Sequence, residues 1–207
     1  MVTKAPAAAR CGMARARGRG QAAPPGYPDS YESTVRLRDG RRVQIRPILA
    51  SDAPELAEAM RTADAETLHS RFLGGAPRPS AAVLRSLTEL DYVTRFALVA
   101  RSRRHGVGIA RYAALPPADD GTVAADVAVV VAPEWRRVGL ATVFVELLGR
   151  RALECGITEF TALFLPTNRP VAELAREGHA RVVIKEGAAN LYAPLATSET
   201  EPGQGSI

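Results

Sequence analysis

The residues best placed to do chemistry are Arg136-Arg137-Val138-Gly139-Leu140-Ala141-Thr142, which stand between an apolar run, Val127 to Val131, and an amphipathic helical pattern. A strand that leads directly into a helix aims the unpaired N–H groups of the first turn at one spot, where the helix dipole adds partial positive charge. Such a turn seats a phosphate. Gly139 and Ala141 matter here because any side chain larger than methyl would hold a pyrophosphate away from the backbone.

Taken alone, the hexapeptide carries little weight. Arg or Gln, two residues, Gly, one residue, then Gly or Ala also matches from Arg15, Arg17, Arg71 and Arg103 in this Arg-, Gly- and Ala-rich chain. Only Arg136 follows a strand and opens a long amphipathic helix. Close packing of Gly139 and Ala141 between helix and strand is the competing explanation, and both stand at this level.

Asp126 is the second candidate, the one acid inside Val123-Ala124-Ala125-Asp126-Val127-Ala128-Val129-Val130-Val131. Strand alternation sets it on the face opposite Val127, Val129 and Val131. A carboxylate in that position can take a proton from a nucleophile, or it can pair with a nearby arginine as a structural group. His179, at a helix end, reads as a solvated or dipole-compensating side chain, and Trp135 as an amphipathic surface cover.

The elements that must position these groups can be read along the chain. Residues 34 to 48 alternate around Asp39-Gly40, which predicts a β-hairpin. Ser51-Asp52 before Pro54-Glu55 predicts a helix start, a second helix is expected over about Asp64 to Leu73, and Ser80 caps a third that carries Val83, Leu84 and Leu87. Two strands flank the polar turn from Arg101 to Gly106. The helix from Gly139 buries Leu140, Val143, Phe144, Leu147, Leu148 and Ala152 and stops at Gly156. A strand over 157–165, a helix from Arg169 to Glu177 ended by Gly178, and strands over 181–194 complete an α+β order with one crossover helix in the middle.

The composition predicts a basic disordered tail over 1–33, one domain over 34–195, and a second disordered tail over 196–207. The chain has 27 Lys plus Arg against 22 Asp plus Glu, a net charge of +5. Lys4, Arg10, Arg15, Arg17 and Arg19 supply that excess, so the domain is nearly neutral and no nucleic-acid partner is expected. No apolar run reaches the roughly 18 residues that span a bilayer, which predicts no membrane partner and a cytoplasmic protein. Cys11 and Cys155 form no metal or disulfide framework, so no metal is expected.

Val127-Ala128-Val129-Val130-Val131-Ala132-Pro133-Glu134-Trp135-Arg136-Arg137-Val138-Gly139-Leu140-Ala141, with its helix, the next strand and Asn168, resembles the GNAT N-acetyltransferase superfamily over residues 34 to 195. Ile45 to Leu56, Leu68 to Gly74 and Leu87 to Ala100 are similar to the acetyltransferase domain of bacterial Pat-type protein lysine acetyltransferases. The resemblance implies a mixed, mostly antiparallel sheet flanked by helices, with two central strands splayed apart. It implies acetyl-CoA as co-substrate, its pyrophosphate on residues 136 to 142, its pantetheine along the backbone of Val129 and Val131, and Asn168 touching it at the splay. Asp126 takes the position of that family's general-base glutamate, one methylene shorter. Ala175 stands where many members carry a tyrosine that protonates the leaving thiolate, and His179-Ala180 replaces the usual Gly-Phe. Arg71 and Phe72 are implied to wall the acceptor groove. The partner so implied is a protein with an exposed lysine; a small amine and a CoA-binding module without catalysis are the alternatives.

Overall fold

The computed structural model describes residues 23–62, 79–103, 105–185 and 187–195. The expected helix from Asp64, with Arg71 and Phe72, lies outside them. Eight strands form one sheet: β1 (Ser33–Arg36), β2 (Arg42–Pro47), β3 (Arg95–Ser102), β4 (His105–Ala114), β5 (Ala124–Val131), β6 (Glu159–Phe164), β7 (Arg181–Lys185) and β8 (Ala188–Pro194), in the spatial order β1-β2-β3-β4-β5-β6-β8-β7. Every neighbouring pair is antiparallel except β5 and β6. Helices α1 (Ala53–Thr62) and α2 (Ala81–Thr88) lie between β2 and β3 in the chain, α3 (Leu140–Glu154) crosses over between β5 and β6, and α4 (Arg169–Glu177) follows β6.

The crossover helix organises the main core. Leu140, Phe144, Leu148 and Ala152 recur at helical spacing and are buried against Phe96, Leu98, Ala110, Tyr112 and Ala125 of the sheet. Val127, Val129 and Val131 pack on that same cluster, so Asp126, Ala128 and Val130 face the other side. A second, smaller cluster under α4 holds Phe164, Ala175, Ala189 and Leu191.

The packed chain begins before residue 34. Tyr31 is buried in the main core, its hydroxyl donates to Glu154 at 2.9 Å, and Tyr27 meets the Tyr92 ring edge-on. Two tyrosines inside a Pro- and Gly-rich stretch show no periodicity, which is why composition assigns them to a tail. Asp52 differs from a simple cap. It ends a 3-10 turn, accepts the Leu49 N–H at 2.8 Å and pairs with Arg46 through both carboxylate oxygens. Ser80 does cap α2, its hydroxyl accepting the Val83 N–H at 3.3 Å.

Candidate active site

The site begins where β5 and β6 part. At the two ends of β5, the Leu115 N–H donates to the Ala124 carbonyl and the Ala132 N–H to the Val107 carbonyl. Antiparallel pairing alternates, so the peptide groups of Ala124, Asp126, Ala128 and Val130 serve β4, and those of Ala125, Val127, Val129 and Val131 face β6. Pairing with β6 covers only Ala124–Glu159, Ala125–Phe160 and Asp126–Thr161. Beyond Asp126 the strands splay. Val127 and Val129 then turn peptide groups into a gap with no ladder partner on β6, and such groups demand one. The Val131 carbonyl accepts the Arg136 Nε–H at 3.2 Å.

Because β5 and β6 are parallel, the gap opens at the carboxyl ends of both, and α3 and α4 start there. A short 3-10 turn, Pro133–Trp135, ends β5; Arg137 then adopts φ of 61° and Gly139 φ of 89° before α3 begins at Leu140. The left-handed backbone suits Gly139, whereas at Arg137 it costs about 1 kcal/mol, a strain that clusters at functional sites. Gly139 has no side chain with which to cap α3, so the first-turn N–H groups lack a side-chain cap. Leu140 turns into the core while Arg136 and Arg137 are exposed; Val138, Ala141 and Thr142 are half-buried.

Trp135 departs from the sequence expectation of a surface cover. Its ring is buried in the main core behind the turn, and the Arg41 guanidinium lies 3.9 Å from the ring centroid. The β1–β2 hairpin tip thus docks on this turn: the Arg38 N–H donates to the Val138 carbonyl at 3.1 Å, and Arg41 donates to the Glu134 carbonyl at 2.9 Å.

Asp126 is half-buried at the vertex of the splay. Register aligns Arg95, Ala113, Asp126, Thr161, Tyr192 and Arg181 in one row across the face away from α3. Arg111 sits one step along β4, diagonal to Asp126. Burial pulls the Arg111 guanidinium below its ordinary value, and the negative charge of Asp126 pushes it back up. Both roles open to Asp126 in the sequence are compatible here, since it lies at the gap and interacts with an arginine.

Asn168 is the N-cap of α4, its Oδ1 accepting the Val171 N–H at 3.4 Å, which leaves the side-chain NH₂ to reach elsewhere. Ala175 is buried in the small cluster and supplies no acid. Gly178 follows α4 with φ of −83°, and the left-handed residue is His179, exposed with φ of 53°. Arg111, Thr161, Tyr192 and Arg38 are neighbours of the site that sequence reasoning passed over. Arg111 carried the same signal as Asp126, a lone charge inside an apolar strand; the other three depend on register and hairpin docking. Among the described residues no group of three or more His, Cys, Asp or Glu gathers to hold a metal, and no helix is long and apolar enough to cross a membrane.

This geometry coincides with a known family. Residues 64–179 match the acetyltransferase (GNAT) family, and the chain is 32% identical over 142 residues to an acetyltransferase of Pseudomonas aeruginosa, covering 67% of this chain and 74% of that one. This chain belongs to the GNAT acetyltransferase family. The GNAT domain of S. lividans PAT superposes with a TM-score of 0.72 at 28% identity, over 82% of this chain and 99% of that domain. A GNAT-superfamily phosphinothricin acetyltransferase from Sinorhizobium meliloti, in complex with AcCoA, shares the fold with a TM-score of 0.59 at 19% identity, over 77% and 94% of the two chains. The expected sheet, its splayed central strands and its flanking helices are those of a GNAT acetyltransferase, and the protein is an N-acetyltransferase.

Proposed function

We propose that this GNAT enzyme transfers the acetyl group of acetyl-CoA to the ε-amine of protein lysines, at the vertex where β5 leaves β6. The observation that carries this reading is the coincidence, at one end of the sheet, of the β5–β6 gap, the uncapped start of α3 and the carboxylate of Asp126. The S. meliloti neighbour in complex with AcCoA supports the cofactor. Ala141 keeps the turn low enough for a pyrophosphate to reach the N–H groups of residues 138 to 142, with Arg136 and Arg137 beside it, and Gly139 supplies the left-handed backbone from which the helix starts. The backbone of Val129 and Val131 offers an extended amide chain the pairing that β6 does not, and the Asn168 NH₂ reaches it from the other side.

A lysine amine, with a pKa of about 10.4, is almost wholly protonated at neutral pH. Asp126, directly or through one water, takes its proton. The neutral nitrogen attacks the acetyl carbon, a C–N bond forms, and the C–S bond breaks with its electron pair on sulfur. A free N–H in the gap near Val129 stabilises the oxyanion as it develops. The thiolate leaves without help from Ala175; a thiol pKa of about 8.5 makes it a competent leaving group.

The sign of the acceptor face favours protein over polycations. Among the described residues, Arg95, Arg111 and Arg181 share it with Asp126 and Glu159, a surface of mixed sign rather than the acid-lined one a polyamine or aminoglycoside needs. Incubation of the enzyme and acetyl-CoA with an extract, followed by mass spectrometry of acetylated lysines, tests the reading. New acetyl-lysines are expected with the wild type and not with Asp126→Ala. Equal signals from both proteins, or none from either, would refute it.

A further inference from the structure

The acetyl-CoA reading accounts for the turn but leaves the hairpin docked on it without a task. That hairpin, Arg36-Leu37-Arg38-Asp39-Gly40-Arg41-Arg42, presents four arginines and one acid beside the start of α3. Asp39 is engaged by Arg41, accepting its N–H at 3.0 Å and its Nε–H at 2.5 Å. Arg41 in turn lies on Trp135. Among the described residues, the exposed Arg38 guanidinium makes no hydrogen bond or ion pair, yet the residue is held in place. Its N–H is fixed to the Val138 carbonyl, and its stem fills the space left by the missing side chain of Gly139. A Cβ on Gly139 would stand 3.4 Å from the Arg38 Cγ, 3.5 Å from its Cδ and 3.3 Å from its Nε. A cleft of about 200 Å³ opens there, with Arg36 and Arg38 on one wall and Gly139, Thr142 and Glu146 on the other.

CoA carries three phosphates: two in the pyrophosphate and one on the ribose 3′ oxygen. The N–H groups of the turn serve the pyrophosphate. The 3′-phosphate is a monoester near two negative charges, and a guanidinium fork matches it with two charge-assisted hydrogen bonds. Arg136 bends back to the Val131 carbonyl, and Arg41 is committed to Trp135 and Glu134. Arg36 shares the cleft wall but lies against Gly40, whereas the Arg38 stem is set against Gly139 at the start of α3, so less freedom is lost when Arg38 binds there.

We propose that Arg38 binds the ribose 3′-phosphate of CoA, so that the β1–β2 hairpin sets the selectivity for CoA over its dephosphorylated form. This rests on the acetyl-CoA reading above. Calorimetric titration of wild type, Arg38→Gln and Arg38→Lys with acetyl-CoA and with acetyl-dephospho-CoA tests it. The wild type binds acetyl-CoA more tightly than the dephospho form by about tenfold, the scale of one charge-assisted contact. Arg38→Gln loses that preference while its affinity for the dephospho form stays within about twofold, and Arg38→Lys keeps part of the preference. Equal losses on both ligands, a preference undiminished in Arg38→Gln, or a wild type that binds both forms alike would overturn the assignment and leave acetyl-CoA as the cofactor. A wild type that binds neither form would remove the acetyl-CoA reading, and this one with it. An unchanged thermal midpoint for Arg38→Gln shows that the hairpin remains docked.

Discussion

The two sides of the sheet are built differently. From β1 to β5 the ladder is antiparallel throughout, with a bulge opposite Ala100 and Arg101, and α3 seals it with a core of interlocking rings, among them Tyr31, Phe96 and Tyr112. From β6 to β8 the core shrinks to Phe164, Ala175, Ala189 and Leu191, and β7 exposes all five of its residues, Ile184 at 66%. Only three residue pairs of the ladder join the halves. The larger half supplies stability, and the seam supplies unpaired backbone, which a stable interior does not tolerate and a binding site uses.

That contrast can be broken most severely at Phe144. Phe144→Ala removes a fully buried ring at the centre of the large core and should cost about 3 to 5 kcal/mol in denaturant unfolding. Leu191→Ala, in the small core, should cost only about 2 kcal/mol, the low end for a buried leucine. Hydrogen exchange should then quicken in β7 and β8 before β3 and β4. Equal costs, or uniform exchange, would deny the division.

At the turn the effect falls on binding more than on stability. Gly139→Ala places a Cβ at φ of 89°, a strain of about 1 to 2 kcal/mol. The Arg38 side chain it meets can swing aside, so the added loss appears as a raised KM for acetyl-CoA with a smaller change in kcat.

The smallest effect lies at Asp91, on the loop that leads into β3. Burial opposes it, yet hydrogen bonds from the Thr94 hydroxyl and the Arg95 and Val93 N–H groups hold this carboxyl below its ordinary value. A depressed carboxyl stabilises the fold above its unfolded pKa of about 4, and that contribution is lost as pH falls through the lower folded value. Wild type should therefore exceed Asp91→Asn in thermal midpoint at pH 7, and the gap should narrow below about pH 4.

Much of this was legible in residue order. Asp39-Gly40, the apolar spacing of α3 and the alternation around Asp126 are local signals, and local geometry followed them. The turn over residues 136 to 142 needed its context, because the same hexapeptide pattern also starts at Arg15, Arg17, Arg71 and Arg103. What stayed illegible depends on distant contact. Tyr31 looks like tail until its ring meets Phe96, and Trp135 looks like a surface cover until the hairpin closes over it. Arg38 is one of many arginines until the hairpin lays it against Gly139. No periodicity in a single sequence encodes which turn lies beside which.

The most direct test of Asp126 at the seam is to compare wild type with Asp126→Asn in two measurements on the same protein: acetyl-CoA affinity by calorimetry and the rate of a single acetyl transfer to a lysine peptide across pH. General-base assistance is worth about 10²- to 10⁴-fold, so the variant should bind acetyl-CoA as the wild type does and transfer at least about a hundredfold more slowly. Transfer at the wild-type rate would contradict the account, and so would a loss of rate that merely follows a loss of binding.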